Sequence, residues 1–255
     1  MMKSILLILI VFNLSFCFDY KNRGDDWTGI CANGTSQSPI DFNFSNSKLW
    51  SPFYFFQSLK DNNIMTYTDM DWNIRLQGMS GYIYTIEAYT ITHGLRFSIN
   101  YVDFHSPSEH QINGQTYDLE MQIYLSLVSG TAVPPMTDGA ISFLFNSNFN
   151  IENSFLRQIA TNPPVINNTQ VNISFSSLFS KDMVLYNSFF GYRGSYTTPP
   201  CIQNVNWYVI GTPLNMSKTQ LSFFSNKWKN NNTFANGNGN NRRTKKQFDT
   251  IFKYP

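Results

Sequence analysis

The chain is expected to fold as one mainly β domain carrying a few short helices, and three observations lead there. Its apolar stretches are short and alternate with polar residues, as strands with one buried face do. They are rich in β-branched and aromatic side chains, which fit a pleated surface. Gly, Asn and Pro separate them at the places where turns belong. Hydrophobic residues make up 42% of 255 positions, ample for a substantial core, and no internal repeat or linker divides the chain.

Taken in order, the first element is a leader. Met1 to Cys17 holds a single Lys3, the apolar run "ILLILIVFNL", and then "SFC", with small residues three places and one place before a cleavage point after Cys17. That is the pattern of a secretory signal. The run falls short of the roughly 20 residues that span a bilayer, no later segment is apolar enough to do so, and the C-terminal "IFKYP" has no anchor tail. Residues 18–255 are therefore expected as one mature domain, secreted or in the lumen of the secretory pathway. Strands are expected at "WNIRLQG" (Trp72–Gly78), "YIYTIEAYTIT" (Tyr82–Thr92), "LRFSINYVDFH" (Leu95–His105), "LEMQIYLSLV" (Leu119–Val128), "AISFLF" (Ala140–Phe145) and "VNWYVIG" (Val205–Gly211). Helices are expected at Ile151–Ala160 and at Ser217–Trp228, the second opened by a serine able to cap it. The Asn-rich stretch Asn226–Asn241 reads as turns and exposed loop, and "RRTKK" (Arg242–Lys246) as a solvated surface stretch. With a net charge of +2 and only 13% charged residues, nothing points to nucleic acid as a partner.

Removal of the leader leaves Cys31 and Cys201, an even pair suited to an oxidising compartment. A bridge between them would staple the two ends of one domain, worth about 3–5 kcal/mol on a chain-entropy view. Sequons at Asn33, Asn43, Asn167, Asn172, Asn215 and Asn231 are candidate glycan sites.

One stretch carries chemistry: "NYVDFHSPSEHQINGQTYDLEMQIYL", Asn100 to Leu125. Side chains two apart on a strand share a face, so Tyr101, Asp103 and His105 point one way and Val102 and Phe104 the other. Glu120 and Gln122 likewise share a face of the following strand. If the two strands are neighbours, Asp103, His105 and Gln122 converge, a three-donor geometry suited to a metal with one open position. The donors themselves suit zinc poorly, because a neutral amide oxygen competes badly with water for it.

Three motifs then occur in a telling order: "W…C…G…QSPI" (Trp27, Cys31, Gly34, Gln37–Ile40), "FHSPSEHQINGQTYDLEM" (Phe104–Met121) and "GSYTTPPCIQNVNW" (Gly194–Trp207), with a looser "NNRR" at Asn240–Arg243. On these residues the chain, from about Tyr20 to its end, resembles the α-class carbonic anhydrases. The resemblance implies a single domain built on a large, twisted, mostly antiparallel ten-stranded sheet with short peripheral helices, and it sets Cys31 and Cys201 at the positions of the family's extracellular disulfide. It also implies three zinc-binding histidines, whose positions here read Asp103, His105 and Gln122. Thr197 and Glu109 match the pair that orients the family's zinc-bound hydroxide, or else form a buried hydrogen-bonded pair holding the "TTPP" turn. Glu120 matches the carboxylate behind the third histidine, Tyr101 stands where a glutamine usually supports the first, Tyr20 matches a tyrosine of the solvent network, and Tyr196 replaces a leucine of the pocket wall. No histidine stands near Asp69–Asp71, where the family's proton shuttle falls. His110 reads as structural and His93 as an ordinary packed or exposed residue.

Two functions follow as expectations. The preferred one is a secreted carbonic-anhydrase-like protein with little or no CO2 hydratase activity, a binding or structural module for an extracellular protein or small ligand. The alternative is a zinc-dependent carbonic anhydrase, a lyase acting on CO2 and bicarbonate through an Asp103/His105/Gln122 site. A third option exchanges zinc for a harder cation at the same residues with water.

Overall fold

The computed structural model describes residues 18–254 apart from 46, 50–52, 58–61, 71, 88–94, 130–137, 148–150, 162, 165, 179–188 and 249. The expected leader Met1–Cys17 and His93 lie outside the described residues. Among the described residues, one large sheet takes thirteen strands, ten of them on a continuous path. The path runs Thr169–Ile173, Asn63–Asp69, Ile74–Gln77, Leu95–His105, Leu119–Ser129, Asp138–Asn146, Gln203–Ile210, Phe189–Ser195, Phe252–Tyr254 and Lys48–Leu49. Most of its pairings are antiparallel; Asp138–Asn146 with Gln203–Ile210 and Phe252–Tyr254 with Lys48–Leu49 are parallel. The mainly β, mostly antiparallel expectation is therefore met. Several strands were not legible as alternating runs. Asn63–Asp69 buries Asn63, Met65 and Tyr67 and exposes Ile64, so the polar–apolar code is inverted at its start.

The strand Leu95–His105 organises the molecule, because its two halves have different neighbours. Leu95–Ser98 pairs with Tyr82–Glu87, while Tyr101–Asp103 pairs with Ile74–Gln77. Between the halves the register against Leu119–Ser129 skips Asn100, since Tyr101 faces Tyr124 and Ile99 faces Leu125. This extra residue is a β-bulge, and it changes which side chains share a face. Phe97, Ile99, Val102 and Phe104 all join one buried apolar cluster even though odd positions give way to even ones. Tyr101, Asp103 and His105 are thereby turned to the opposite face. Over Leu119–Leu125 the partner strand has no such switch: Leu119, Met121, Ile123 and Leu125 enter the same cluster, and Glu120, Gln122 and Tyr124 face away from it.

Helices close the apolar face. Ser154–Ala160 supplies Phe155, Leu156 and Ile159, and Lys218–Lys229 supplies Phe224 and Trp228. Phe104 stacks on Phe224 with ring centroids 4.9 Å apart, which ties the site strand to that helix from behind. The first helix begins three residues later than expected, because the Asn153 side chain accepts from the Phe155 and Leu156 amides and caps it there. The second starts as expected: Ser217 and Gln220 exchange hydrogen bonds in a capping box. Cys31 and Cys201 form a disulfide, packed with Tyr20 and Trp27. Among the described residues no helix is long and apolar enough to cross a membrane.

Two expectations about the C-terminal segment need correction. Asn240 and Asn241 are fully buried rather than exposed. Arg242 is not part of a solvated basic stretch; it is fully buried, and its guanidinium donates to the Ser38 and Cys31 carbonyls and to Gln37 Oε1. Several oxygens converging on a planar fork replace the water that an arginine otherwise needs. Arg243, beside it, is exposed and pairs with Asp25.

Candidate functional site

The register brings the expected residues side by side: Gln122 lies opposite Asp103, and Glu120 opposite His105. All are buried. Their hydrogen bonds, however, lead away from a common centre.

Asp103 is 2% exposed and lies directly opposite Arg75 on the neighbouring strand. Arg75 grips it with two parallel bonds, Nε to Oδ1 at 2.7 Å and Nη2 to Oδ2 at 2.6 Å. The guanidinium also lies 3.8 Å over the Tyr101 ring and 5.3 Å from that of Trp72. Burial pushes the Asp103 carboxyl up from its ordinary value, and the Arg75 bonds pull against that rise. Burial likewise acts to lower Arg75, but the bonds to Asp103 outweigh it and hold the guanidinium above its usual value.

Gln122 is satisfied on every side. Its amide nitrogen donates to Glu109 Oε2 and to Glu120 Oε1, both at 2.9 Å. Its oxygen accepts from the Tyr124 hydroxyl at 2.6 Å and from Thr197 Oγ1 at 3.4 Å. The expected direct bond between Thr197 and Glu109 is therefore not made. Gln122 stands between them, because an amide can accept from the hydroxyl and donate to the carboxylate at once. Glu109 Oε1 accepts from the Arg242 backbone amide.

Glu120 is the most heavily bonded acceptor. Oε1 takes bonds from His110 Nδ1, Gln122 and Ser142 Oγ, and Oε2 from the backbone amides of Glu109 and His110. Burial alone would raise its pKa, but the His110 ring and these donors overcome it and hold the carboxyl down at about 2. His110 spends its other ring nitrogen on Tyr192 Oη at 2.7 Å, so both its nitrogens are engaged.

His105 differs. Nδ1 donates to the Asn240 carbonyl at 2.7 Å and lies 3.5 Å from Glu109 Oε1. A carbonyl only accepts, so Nδ1 carries a ring proton, and in the neutral ring the lone pair is then on Nε2. That Nε2 is buried with no hydrogen-bond partner among the described residues. Asn240 holds the ring's surroundings, donating to the Trp72 and Phe104 carbonyls and accepting from the Ser106 amide.

The remaining expected residues form walls and supports. Tyr196 stacks on Tyr124 at 5.2 Å and donates to Asp138 Oδ2. Tyr101 packs between Arg75 and Tyr124. Tyr20 is buried in the disulfide cluster. Near the expected shuttle position, Asp69 is bonded to Lys227, and residue 71 lies outside the described residues. Of the sequons, Asn33, Asn43, Asn167, Asn172 and Asn215 are exposed and Asn231 is half-buried. Among the described residues, no group of three or more His, Cys, Asp or Glu side chains is placed to hold a metal ion.

Sequence reasoning missed Arg75, Tyr124, Ser142 and Arg242. Two of these carried a signal: Arg75 is the lone charge inside its strand, and Tyr124 follows Gln122 by two and so shares its face. Arg242 gave none, because a basic run reads as surface by default.

A family model described as eukaryotic-type carbonic anhydrase matches residues 22–250. The chain is 28% identical over 204 residues to a carbonic anhydrase of Nostoc sp., covering 79% of this chain and 72% of that one. It is 26% identical over 250 residues to dioscorin DB3L of Dioscorea polystachya, covering 93% and 82%. Among solved structures it is similar to the α-carbonic anhydrase of Thermovibrio ammonificans in complex with sulfanilamide, with a TM-score of 0.68, 23% identity and 89% of each chain covered.

Proposed function

The chain belongs to the eukaryotic-type carbonic anhydrase family, and from that premise we propose that it is a secreted member without CO2 hydratase activity, serving as a binding or structural module. The observation that carries this reading is the closure of two of the three ligand positions. Asp103 is held bidentately by Arg75, and Gln122 spends all its hydrogen-bonding capacity on Glu109, Glu120, Tyr124 and Thr197. Zinc needs several donors turned toward one point with free lone pairs. One imidazole, one carboxylate already neutralised by an arginine and one saturated amide do not fit it. The polar network stands without a metal, since each carboxylate has donors of its own. Its ligand or partner is an extracellular protein or small molecule, in keeping with the leader Met1–Cys17, the mature domain 18–255, the disulfide and the exposed sequons.

One observation favours the second reading, a zinc-dependent lyase on an Asp103/His105/Gln122 site: His105 Nε2 is buried and without a hydrogen-bond partner among the described residues. Elemental analysis of the purified secreted protein, paired with a CO2 hydration assay with and without added zinc, separates the two. The module predicts substoichiometric zinc and a rate no greater than that of buffer. Stoichiometric zinc with hydration activity would sink it.

A further inference from the structure

We infer that the ion pair of Arg75 with Asp103 keeps divalent cations out of a pocket that otherwise retains donors for one. The inference rests on the reading that the native site is metal-free, and it names the residue that makes it so.

Three features of the pair support this. It is set by strand register, since Arg75 and Asp103 are direct cross-strand partners. It is bidentate, so each carboxylate oxygen accepts from the guanidinium. It is also clamped, because the guanidinium packs on the Tyr101 ring and near that of Trp72, leaving Arg75 only 17% exposed. A metal bound to Asp103 at about 2 Å would have to share an oxygen with Arg75 and sit beside its positive charge. In so buried a place that repulsion is weakly screened. Yet two residues along the same strand face, His105 Nε2 is buried with no hydrogen-bond partner among the described residues, while Nδ1 is fixed on the Asn240 carbonyl. The pocket thus holds an unused nitrogen donor next to a carboxylate whose charge is cancelled by a side chain. Removing that side chain leaves a buried, uncompensated carboxylate beside a free imidazole, which is a demand for a cation.

The test uses the secreted full domain, stripped with chelator and melted with and without zinc. Wild type is expected to show no zinc-dependent change in melting temperature. Arg75→Ala is expected to melt roughly 10 °C lower and to recover about 5 °C or more in excess zinc, with near-stoichiometric metal by elemental analysis. The double variant Arg75→Ala/His105→Ala is expected to lose that recovery. A folded Arg75→Ala with no zinc response would overturn the inference while leaving the metal-free reading intact. So would a response that survives loss of His105, since the metal would then lie elsewhere. A His105-dependent zinc response in wild type would overturn both. Should Arg75→Ala fail to fold, Asp103→His and Asp103→His/Arg75→Gln remove the buried ion pair and still read the same point. The second should bind zinc at least tenfold more tightly, and equal affinities would reject a role for Arg75.

Discussion

Gln122 stands at one of the three expected ligand positions, and its chemistry turns the site inward. An amide both donates and accepts, so it links Thr197 and Tyr124 on one side to Glu109 and Glu120 on the other. This outcome was half legible in the sequence. That Gln122 and Glu120 share a strand face follows from the period of two, but the donors that saturate Gln122 include Thr197, which folding brings from 75 residues away. Glu120 offers a prediction at the same scale. Its carboxyl ionises near 2 in the folded protein against about 4.5 for a free glutamate. A lowered folded value means stability that is fully present above pH 4.5 and is lost as pH falls through 2, on the order of 3 kcal/mol. Glu120→Gln should therefore be less stable than wild type at pH 7, and its stability should fall less steeply between pH 4.5 and 2. Urea titrations at stepped pH would measure this, and parallel curves would refute it.

At the scale of the element, the bulge at Asn100 decides what the Leu95–His105 strand presents. Without it, Tyr101, Asp103 and His105 would share a face with Phe97 and Ile99 and enter the apolar cluster. The alternation of "NYVDFH" reveals which residues travel together but not that the parity changes at Asn100, because a bulge is defined by the partner strand. Deleting Asn100 removes the extra residue and keeps Phe97, Ile99, Val102 and Phe104 on one face, so that variant should still fold, whereas deleting the paired Ser98 should turn Phe97 out of the apolar cluster and abolish recovery of folded protein. A Ser98 deletion variant as stable as the Asn100 deletion variant would rule out this role. The helix Lys218–Lys229 shows the opposite case: its start was readable in full, because Ser217 and Gln220 form a capping box from residues three apart.

At the scale of the whole molecule, distant segments meet in the buried site. Arg242 joins Ser38, Cys31 and Gln37 to the C-terminal segment, and the Cys31–Cys201 disulfide fastens the same corner across 170 residues. Changing both cysteines to serine should lower stability by about 2–5 kcal/mol, read as a shift in the denaturation midpoint. An unchanged midpoint would show that the Arg242 contacts suffice alone. The β class, the cysteine pair and the three motifs were determined by the sequence itself, because each rests on local periodicity or on residue type at a given spacing. What each buried polar group bonds to was decided only by the tertiary structure. Arg75 meeting Asp103, Gln122 bridging Thr197 to Glu109, and Arg242 sinking into the core depend on strand register and on chain segments far apart in sequence. A buried charge is stable only where the fold brings its partner, and no spacing rule states which segment that will be.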